Sequence, residues 1–312
     1  MRNVSRSVVS RFGSLAFRSL ASVLSFLASS AVASAQTTDV IGIRAQGMGG
    51  AFTAVADDAT AWYWNPGGLA GGPYLNGLIE FAKPDTSTSE SVRGLSVAYP
   101  ALGFTYYRLP LRQIRISAST ESSAINRQDD EAALRVYGAT VGQSIGNHLV
   151  VGTTLKVLHA DDTNVAFDVG VMTSFGPVRA GVTMHDITEP SFGSGPTVFT
   201  LDRTARLGVA LTSGKRAAIG SATLSFDADL TTTHDPLFGD DRRMALGGEA
   251  WTKGLRAGLR GGVNWNRAAD KGAELSGGLS FAIRSSSFVD AYVVGGDETV
   301  RHGWGFALRV TF

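Results

Sequence analysis

Five histidines are the side chains in this sequence best suited to proton transfer near neutral pH: His148, His159, His185, His234 and His302. Two of them precede a carboxylate, as His185-Asp186 and His234-Asp235. Neighbours on a strand point to opposite faces, so neither pair reads as a catalytic dyad. No serine stands out as a nucleophile, and a triad needs mutual geometry that spacing does not supply. Cysteine is absent, which removes disulfides, thiolate catalysis and cysteine-ligated metals. No paired-histidine spacing of a zinc site occurs. The run Gly47-Met48-Gly49-Gly50 follows no buried strand and lacks the spacing of a dinucleotide loop. The expectation is no enzyme, no cofactor and no metal. A net charge of +1 calls for no polyanion, so no nucleic acid partner is expected.

A second set of charged residues has a clearer pattern. Lys156, Asp168, Arg179, Arg206, Asp227, Asp229, Glu249, Arg256, Arg260, Glu274 and Arg309 each fall on the polar side of a segment whose other side is apolar. On strands, such residues face the lumen of a barrel. They either line a path for substrate and water or pair with one another across a filled interior.

The elements that must position them are strands. In the final stretch, Trp304, Phe306, Leu308, Val310 and Phe312 alternate with Gly305, Ala307, Arg309 and Thr311. Period two gives one apolar and one polar face. In a transmembrane β-barrel the first meets lipid and the second the lumen. The same alternation runs through Val165 to Phe175, Val178 to His185, Ser221 to Leu230, Leu255 to Asn266 and Ala273 to Ile283. These segments have about the ten residues a tilted membrane strand needs. Composition agrees, with 38 Gly and only 9 Pro in 312 residues.

Connections alternate in length. Tight ones are expected at Pro100-Ala101, Ser144 to Asn147, Gly176-Pro177, Ser213 to Lys215, Lys253-Gly254 and Ser285-Ser286. Longer polar ones are expected at Pro84 to Ser91, Pro110 to Asp130, Ala160 to Thr163, Ile187 to Thr200, Thr231 to Asp241, Arg267 to Lys271 and Gly296 to Val300. Short periplasmic turns and longer outer loops are the usual asymmetry of outer-membrane barrels. The fold class is therefore all-β: a transmembrane antiparallel β-barrel of about 14 strands over residues 75–312. Ile114 to Thr120 reads either as an extra strand pair or as part of a long third segment, so counts of twelve and sixteen stay open.

Before the barrel lie two other segments. Arg2, Arg6, Arg11 and Arg18 precede an apolar run from Leu20 to Ala33, and Ala33-Ser34-Ala35 forms a small-x-small cleavage site. Residues 1–35 are expected to be a secretory signal peptide. Residues 36–74 do not alternate. Gly47, Gly49 and Gly50 permit close packing or positive φ. Asp57 is the expected N-cap of a short helix through Thr60 to Trp64. Pro66 should end that helix at Asn65, with Gly67-Gly68 turning the chain.

The run Gly47-Met-Gly-Gly-Ala-Phe52, then Ala56-Asp57-Asp58-Ala59-Thr60-Ala61, then Trp64-Asn65-Pro66-Gly67-Gly68-Leu69-Ala70 resembles the N-terminal hatch of FadL-type outer-membrane transporters. It is similar also to the related PorV/PorQ-type barrels. The C-terminal strand, from Trp304 to Phe312, is similar to the assembly signal of outer-membrane proteins, which implies recognition by the barrel-assembly machinery. The resemblance implies a plug within a fourteen-stranded barrel in the bacterial outer membrane, surrounded by outer-membrane lipid. It implies passive uptake of hydrophobic compounds such as long-chain fatty acids, with Asn65, Pro66, Gly67, Gly47, Gly49, Gly50, Asp57 and Asp58 in the hatch. Phe52, Trp62, Tyr63 and Trp64 would line a hydrophobic path or pack the plug against the wall. Gly67 replaces the alanine of the family's Asn-Pro-Ala, a departure expected to loosen the turn. The polar Pro110 to Asp130 loop and the compact chain also suit the PorV/PorQ type, some of which act beside a secretion-machinery protein.

Overall fold

The computed structural model describes residues 40–84, 91–110, 133–160, 162–193, 199–213, 219–235, 239–268, 272–296 and 302–312. The expected signal peptide and the ambiguous Ile114 to Thr120 lie outside them.

Fourteen antiparallel strands close into a barrel. In chain order they are β1 (Asn76–Lys83), β2 (Val92–Tyr99), β3 (Leu102–Pro110), β4 (Ala133–Ile145), β5 (Leu149–His159), β6 (Thr163–Phe175), β7 (Val178–His185), β10 (Thr204–Ser213), β11 (Ile219–Asp229), β14 (Arg243–Thr252), β15 (Ala257–Asn266), β16 (Glu274–Arg284), β17 (Ser287–Gly295) and β18 (Gly303–Thr311). Two small hairpins sit in longer connections: β8 (Ser191–Phe192) with β9 (Phe199–Thr200), and β12 (Thr233–Asp235) with β13 (Gly239–Asp241).

Closure is made by β1 against β18, from Asn76↔Thr311 to Lys83↔Trp304. A closed ladder satisfies each strand's backbone groups without water, which a lipid environment requires. The outward faces are the apolar ones read from the sequence: Phe104, Phe167, Val171, Leu224, Leu259, Leu275, Phe306, Leu308 and Phe312 are all exposed. Among the described residues no helix is long and apolar enough to cross a membrane.

One end of the barrel carries short turns, at Pro100-Ala101, Gly146 to His148, Gly176-Pro177, Lys253 to Leu255 and Ser285-Ser286. Ala101 and Leu255 hold φ at 77° and 55° there. The other end carries the longer connections. Both ladders of β3 are continuous, with β2 from Arg93↔Arg108 to Tyr99↔Leu102 and with β4 from Leu102↔Val141 to Pro110↔Ala133. The outer half of β6 runs past the end of β7. Its edge is covered instead by Ile187 N–H donating to Phe167 O at 2.9 Å and Thr188 Oγ1 donating to Val165 O at 2.8 Å.

Inside the barrel lies the segment before β1. It contains α1 (Ile43–Gly47), α2 (Ala61–Trp64) and a 3₁₀ helix (Pro66–Gly71). Its apolar side chains, from Val40 to Leu69, form the barrel's core together with inward wall residues such as Tyr107, Leu134 and Tyr292. The expected helix start moves by three residues. The helix opens at Ala61 with no side-chain cap, and Asp58 rather than Asp57 accepts from the Thr60 N–H at 2.9 Å. It ends where Pro66 requires, since Asn65 has extended backbone at φ −165°. The next residues do not form a simple turn but the 3₁₀ helix.

Candidate functional site

The site is the seam between plug and wall. Asn65 is fully buried there. Its Oδ1 accepts from the Gly67 N–H at 3.1 Å, an Asx turn that folds the plug on itself. Its Nδ2 donates to Thr53 O at 3.0 Å within the plug and to Val171 O of β6 at 3.1 Å in the wall. One amide thus closes the turn and fastens it to the barrel. Pro66 and Gly67 lie against the backbones of β5 and β6. A Cβ on Gly67 would stand 2.9 Å from Gly170 O and 3.0 Å from Val150 O. Glycine at this position permits contact, so the expected loosening is replaced by close packing.

The wall answers with glycines of its own. A side chain on Gly152 or Gly170 would collide with Pro66, on Gly247 or Gly262 with Met48, and on Gly181 or Gly208 with Thr53. Gly47 and Gly49 meet Gly278 and Val263 in the same way, and Gly49 and Gly50 take φ of 67° and 82°.

Arg44 is the main charged tie. It forks onto Glu249 of β14, Nε to Oε2 at 2.8 Å and an outer guanidinium nitrogen to Oε1 at 2.7 Å. A second nitrogen reaches Asp57 at 2.5 Å and Asp58 at 3.3 Å within the plug. Burial opposes this guanidinium's charge, but Asp57, Glu249 and Asp58 outweigh it and hold its pKa above the ordinary arginine value. Two wall carboxylates receive plug N–H groups directly. Glu80 accepts from Gly42 and Ile43 at 3.0 and 3.1 Å, and Asp227 accepts from Phe52 and Thr53 at 3.0 and 2.8 Å.

The expected lumen charges mostly pair with each other. Glu249 also takes Arg260 at 2.6 Å, Arg260 reaches Ser280 and Asp290, and Arg309 donates to Asp290 at 2.8 Å. Arg206 pairs with Asp229 at 2.7 Å, and Arg179 with Asp57 at 3.6 Å. Arg256 departs from the expectation: it sits exposed in the turn before β15, outside the strand. His185 and Asp186 also depart. β7 ends at His185, and Asp186 takes φ 50°, so both meet the same carboxylate. His185 Nδ1 lies 3.3 Å from Asp168 Oδ2, the Asp186 N–H donates to Asp168 at 2.9 Å, and Lys156 bridges Asp168 and Asp186 at 2.7 and 2.6 Å. The side chains of His234 and Asp235 lie outside the described set.

The four aromatics form one chain of ring contacts, Phe52 to Trp64 to Tyr63 to Trp62. Phe52 and Trp64 pack edge to face within the plug at 6.0 Å, Phe52 under Arg44 and Trp64 under Arg206. Trp62 and Tyr63 instead face an apolar cavity toward the long-loop end. Trp62 lies 5.1 Å from Tyr107, and Tyr63 stacks on His185 at 5.1 Å. This small cavity, about 20 Å³, is lined by Ile41, Leu109, Leu134, Val136, Leu158 and Leu201, together with the buried Lys156 and Asp186. Its apolar lumen residues break the polar-inside rule on β3, β4 and β5. They were overlooked because the polar–apolar order is reversed there, with apolar Leu109, Leu134, Val136 and Leu158 inward and Arg108, Arg135 and His159 outward. Arg44, Glu80 and Asp290 were also missed as site residues. Their partners are far away in sequence, and no local spacing marks them. Among the described residues no group of His, Asp and Glu is arranged to hold a metal.

A fourteen-stranded barrel with an apolar outer face, closed from within by its own N-terminal segment, defines a plugged protein of the bacterial outer membrane. Solved structures similar to it in fold include FadL-type proteins. One is described as the CymD monoaromatic hydrocarbon channel, with a TM-score of 0.55 and 13% identity over 89% of this chain and 99% of that one. The Ralstonia pickettii toluene transporter TbuX gives 0.55 and 12% over 88% and 99%. A Pseudomonas aeruginosa FadL homologue gives 0.52 and 10% over 89% and 99%. At these identities the likeness is one of fold. The family described as "F plasmid transfer operon, TraF, protein" matches residues 156–221, from β5 to β11, which is less than half of the chain. No curated protein sequence matches.

Proposed function

We propose that this protein admits hydrophobic compounds passively across the outer membrane, with the N-terminal segment as a hatch. The observation that carries this reading is the apolar cavity between Trp62 and Tyr63 of the plug and Leu109, Leu134, Val136 and Leu158 of the wall. A hydrophilic pore has no use for such a surface inside its lumen; the cavity as it stands is only about 20 Å³, so an apolar solute gains its roughly 25 cal/mol per Å² only once the plug shifts and opens it. The paired charges below the cavity bar an apolar solute from continuing down the axis. Both ladders of β3 are intact, so release requires the plug to shift against the wall. Asn65, Arg44 and the glycine seats are the contacts that would give way.

The test is uptake by intact cells expressing the full chain, with a labelled monoaromatic hydrocarbon and a labelled long-chain fatty acid as probes. Uptake of either should exceed that of cells without the protein, and Leu158→Lys should abolish the difference at an unchanged level of folded barrel. Uptake equal to that of empty cells, together with a protein partner purifying in stoichiometric amount, would replace this reading with a secretion-accessory role.

A further inference from the structure

Trp62 and Trp64 stand two residues apart on α2, and both are buried. Their indole N–H groups have different fates. Trp64 Nε1 donates to Ile41 O at 3.0 Å within the plug. Trp62 is 2% exposed, and its Nε1 is a buried donor with no hydrogen-bond partner among the described residues. A buried tryptophan normally finds a partner, and leaving the donor unmet costs free energy. The residue itself is firmly seated. Its carbonyl accepts from Thr154 Oγ1 of β5 at 3.0 Å, and its ring lies 5.1 Å from Tyr107 and 5.7 Å from Tyr63. The same side chain forms part of the wall of the apolar cavity, with Leu109, Leu134, Val136 and Leu158.

The charged groups of that wall are engaged with each other. Lys156 bridges Asp168 at 2.7 Å and Asp186 at 2.6 Å. Two carboxylates share this ammonium, so a carboxylate on a solute finds no unshared positive charge on Lys156. What the cavity offers a solute is a hydrogen-bond donor in apolar surroundings, where such a bond is stronger than in water.

We propose that the Trp62 indole N–H selects the solute, by donating a hydrogen bond to the oxygen of an uncharged, largely apolar compound such as an aromatic ketone. A hydrocarbon of the same shape leaves the donor unmet, and a carboxylate faces Asp168 and Asp186. This inference rests on the uptake reading of the cavity and adds the chemical class of its occupant.

Three probes test it on the detergent-purified full chain carrying isotope-labelled tryptophan: acetophenone, its near-isostere cumene, and benzoate. In magnetic resonance spectra, one indole N–H signal should move downfield with acetophenone but not with cumene, and that signal should be missing from Trp62→Phe. Affinities come from equilibrium dialysis of labelled probes against protein-free micelles. The acetophenone-to-cumene affinity ratio should fall about five-fold or more in Trp62→Phe, whereas a role in packing alone would weaken both probes alike. Benzoate should bind at least ten-fold more weakly than acetophenone. If Trp62→Phe does not fold, replacing Trp64, Trp251, Trp265 and Trp304 singly by Phe should leave the moving signal in place and so assign it. A ratio unchanged in Trp62→Phe would overturn the proposal. An indole signal that no probe moves would do the same, leaving the donor to resident water. Benzoate binding as tightly as acetophenone would overturn the exclusion of carboxylates. Cells that take up both uncharged probes while the ratio is unchanged would sink this inference alone; cells that take up neither would sink the uptake reading beneath it.

Discussion

Arg44 of the plug and Glu249 of β14 form a two-pronged ion pair at 2.7 and 2.8 Å, across 205 positions of sequence. Because Arg44 also holds Asp57 and Asp58, this pair joins the plug's own fold to its attachment. Arg44→Ala would leave Glu249 with Arg260 alone and remove the tie. Breaking one partner of a buried pair costs about 3–5 kcal/mol. The expected outcome in planar bilayers is frequent opening to a larger conductance, with the barrel itself still folded. Closed records indistinguishable from wild type would show that Arg44 does not hold the plug.

The glycine seats predict a graded response. A Cβ on Gly170 would lie 2.2 Å from Asn65 Oδ1 and 2.8 Å from Pro66 N, whereas one on Gly77 meets nothing within 4 Å. Gly170→Ala should lower thermal stability by the equivalent of about 1–3 kcal/mol and raise basal conductance, while Gly77→Ala should do neither. Equal behaviour of the two variants would mean that the plug does not press on β6.

Leu75 and Phe312 exchange backbone hydrogen bonds, Phe312 N–H to Leu75 O at 2.9 Å and Leu75 N–H to Phe312 O at 3.3 Å. Deleting Phe312 removes the last rung of the closing ladder and an exposed aromatic from the final strand. The folded, heat-resistant fraction in membranes should fall several-fold, well beyond the roughly 1 kcal/mol per hydrogen bond lost. An undiminished fraction would exclude the residue from the assembly signal.

A pH effect is expected at the connection between β7 and β10. Partial burial, with Glu189 adding repulsion, pushes the Asp202 carboxyl up to about 6. An acid whose folded pKa is raised binds its proton more tightly when folded. Its unfavourable contribution is absent below the ordinary aspartate value of about 3.9 and complete above 6. Amide exchange in β8 and β9 should therefore be faster at pH 7.5 than at pH 5 after correction for intrinsic rates. Asp202→Asn should abolish the difference. The same ratio in the variant would assign the effect to another group.

The architecture was legible because a membrane strand writes its two environments into alternate residues. Val165 to Phe175 and Trp304 to Phe312 show this without reference to any neighbour, and the lengths of the connections revealed which end carries the turns. The turn at Asn65 was legible for a different reason: Asn65, Pro66 and the positive-φ Gly49 and Gly50 act through local backbone geometry, which is encoded locally. The helix start slipped because Asp57 is held by Arg44 instead of capping, and the helix opens at Ala61 with no side-chain cap.

What the sequence determined by itself was the faces of most strands, the barrel class and the turn at Asn65. The tertiary structure decided which residues meet. Arg44 finds Glu249, Asp227 finds the N–H groups of Phe52 and Thr53, and His185 and Asp186 converge on Asp168 only because β7 ends where it does. Arg93, Arg108, Arg135 and His159 are single residues on four strands, and register alone sets them in a row. The physical reason is that alternation is set by one strand against its surroundings, whereas register and plug contact arise when fourteen strands close around a segment that none of them resembles.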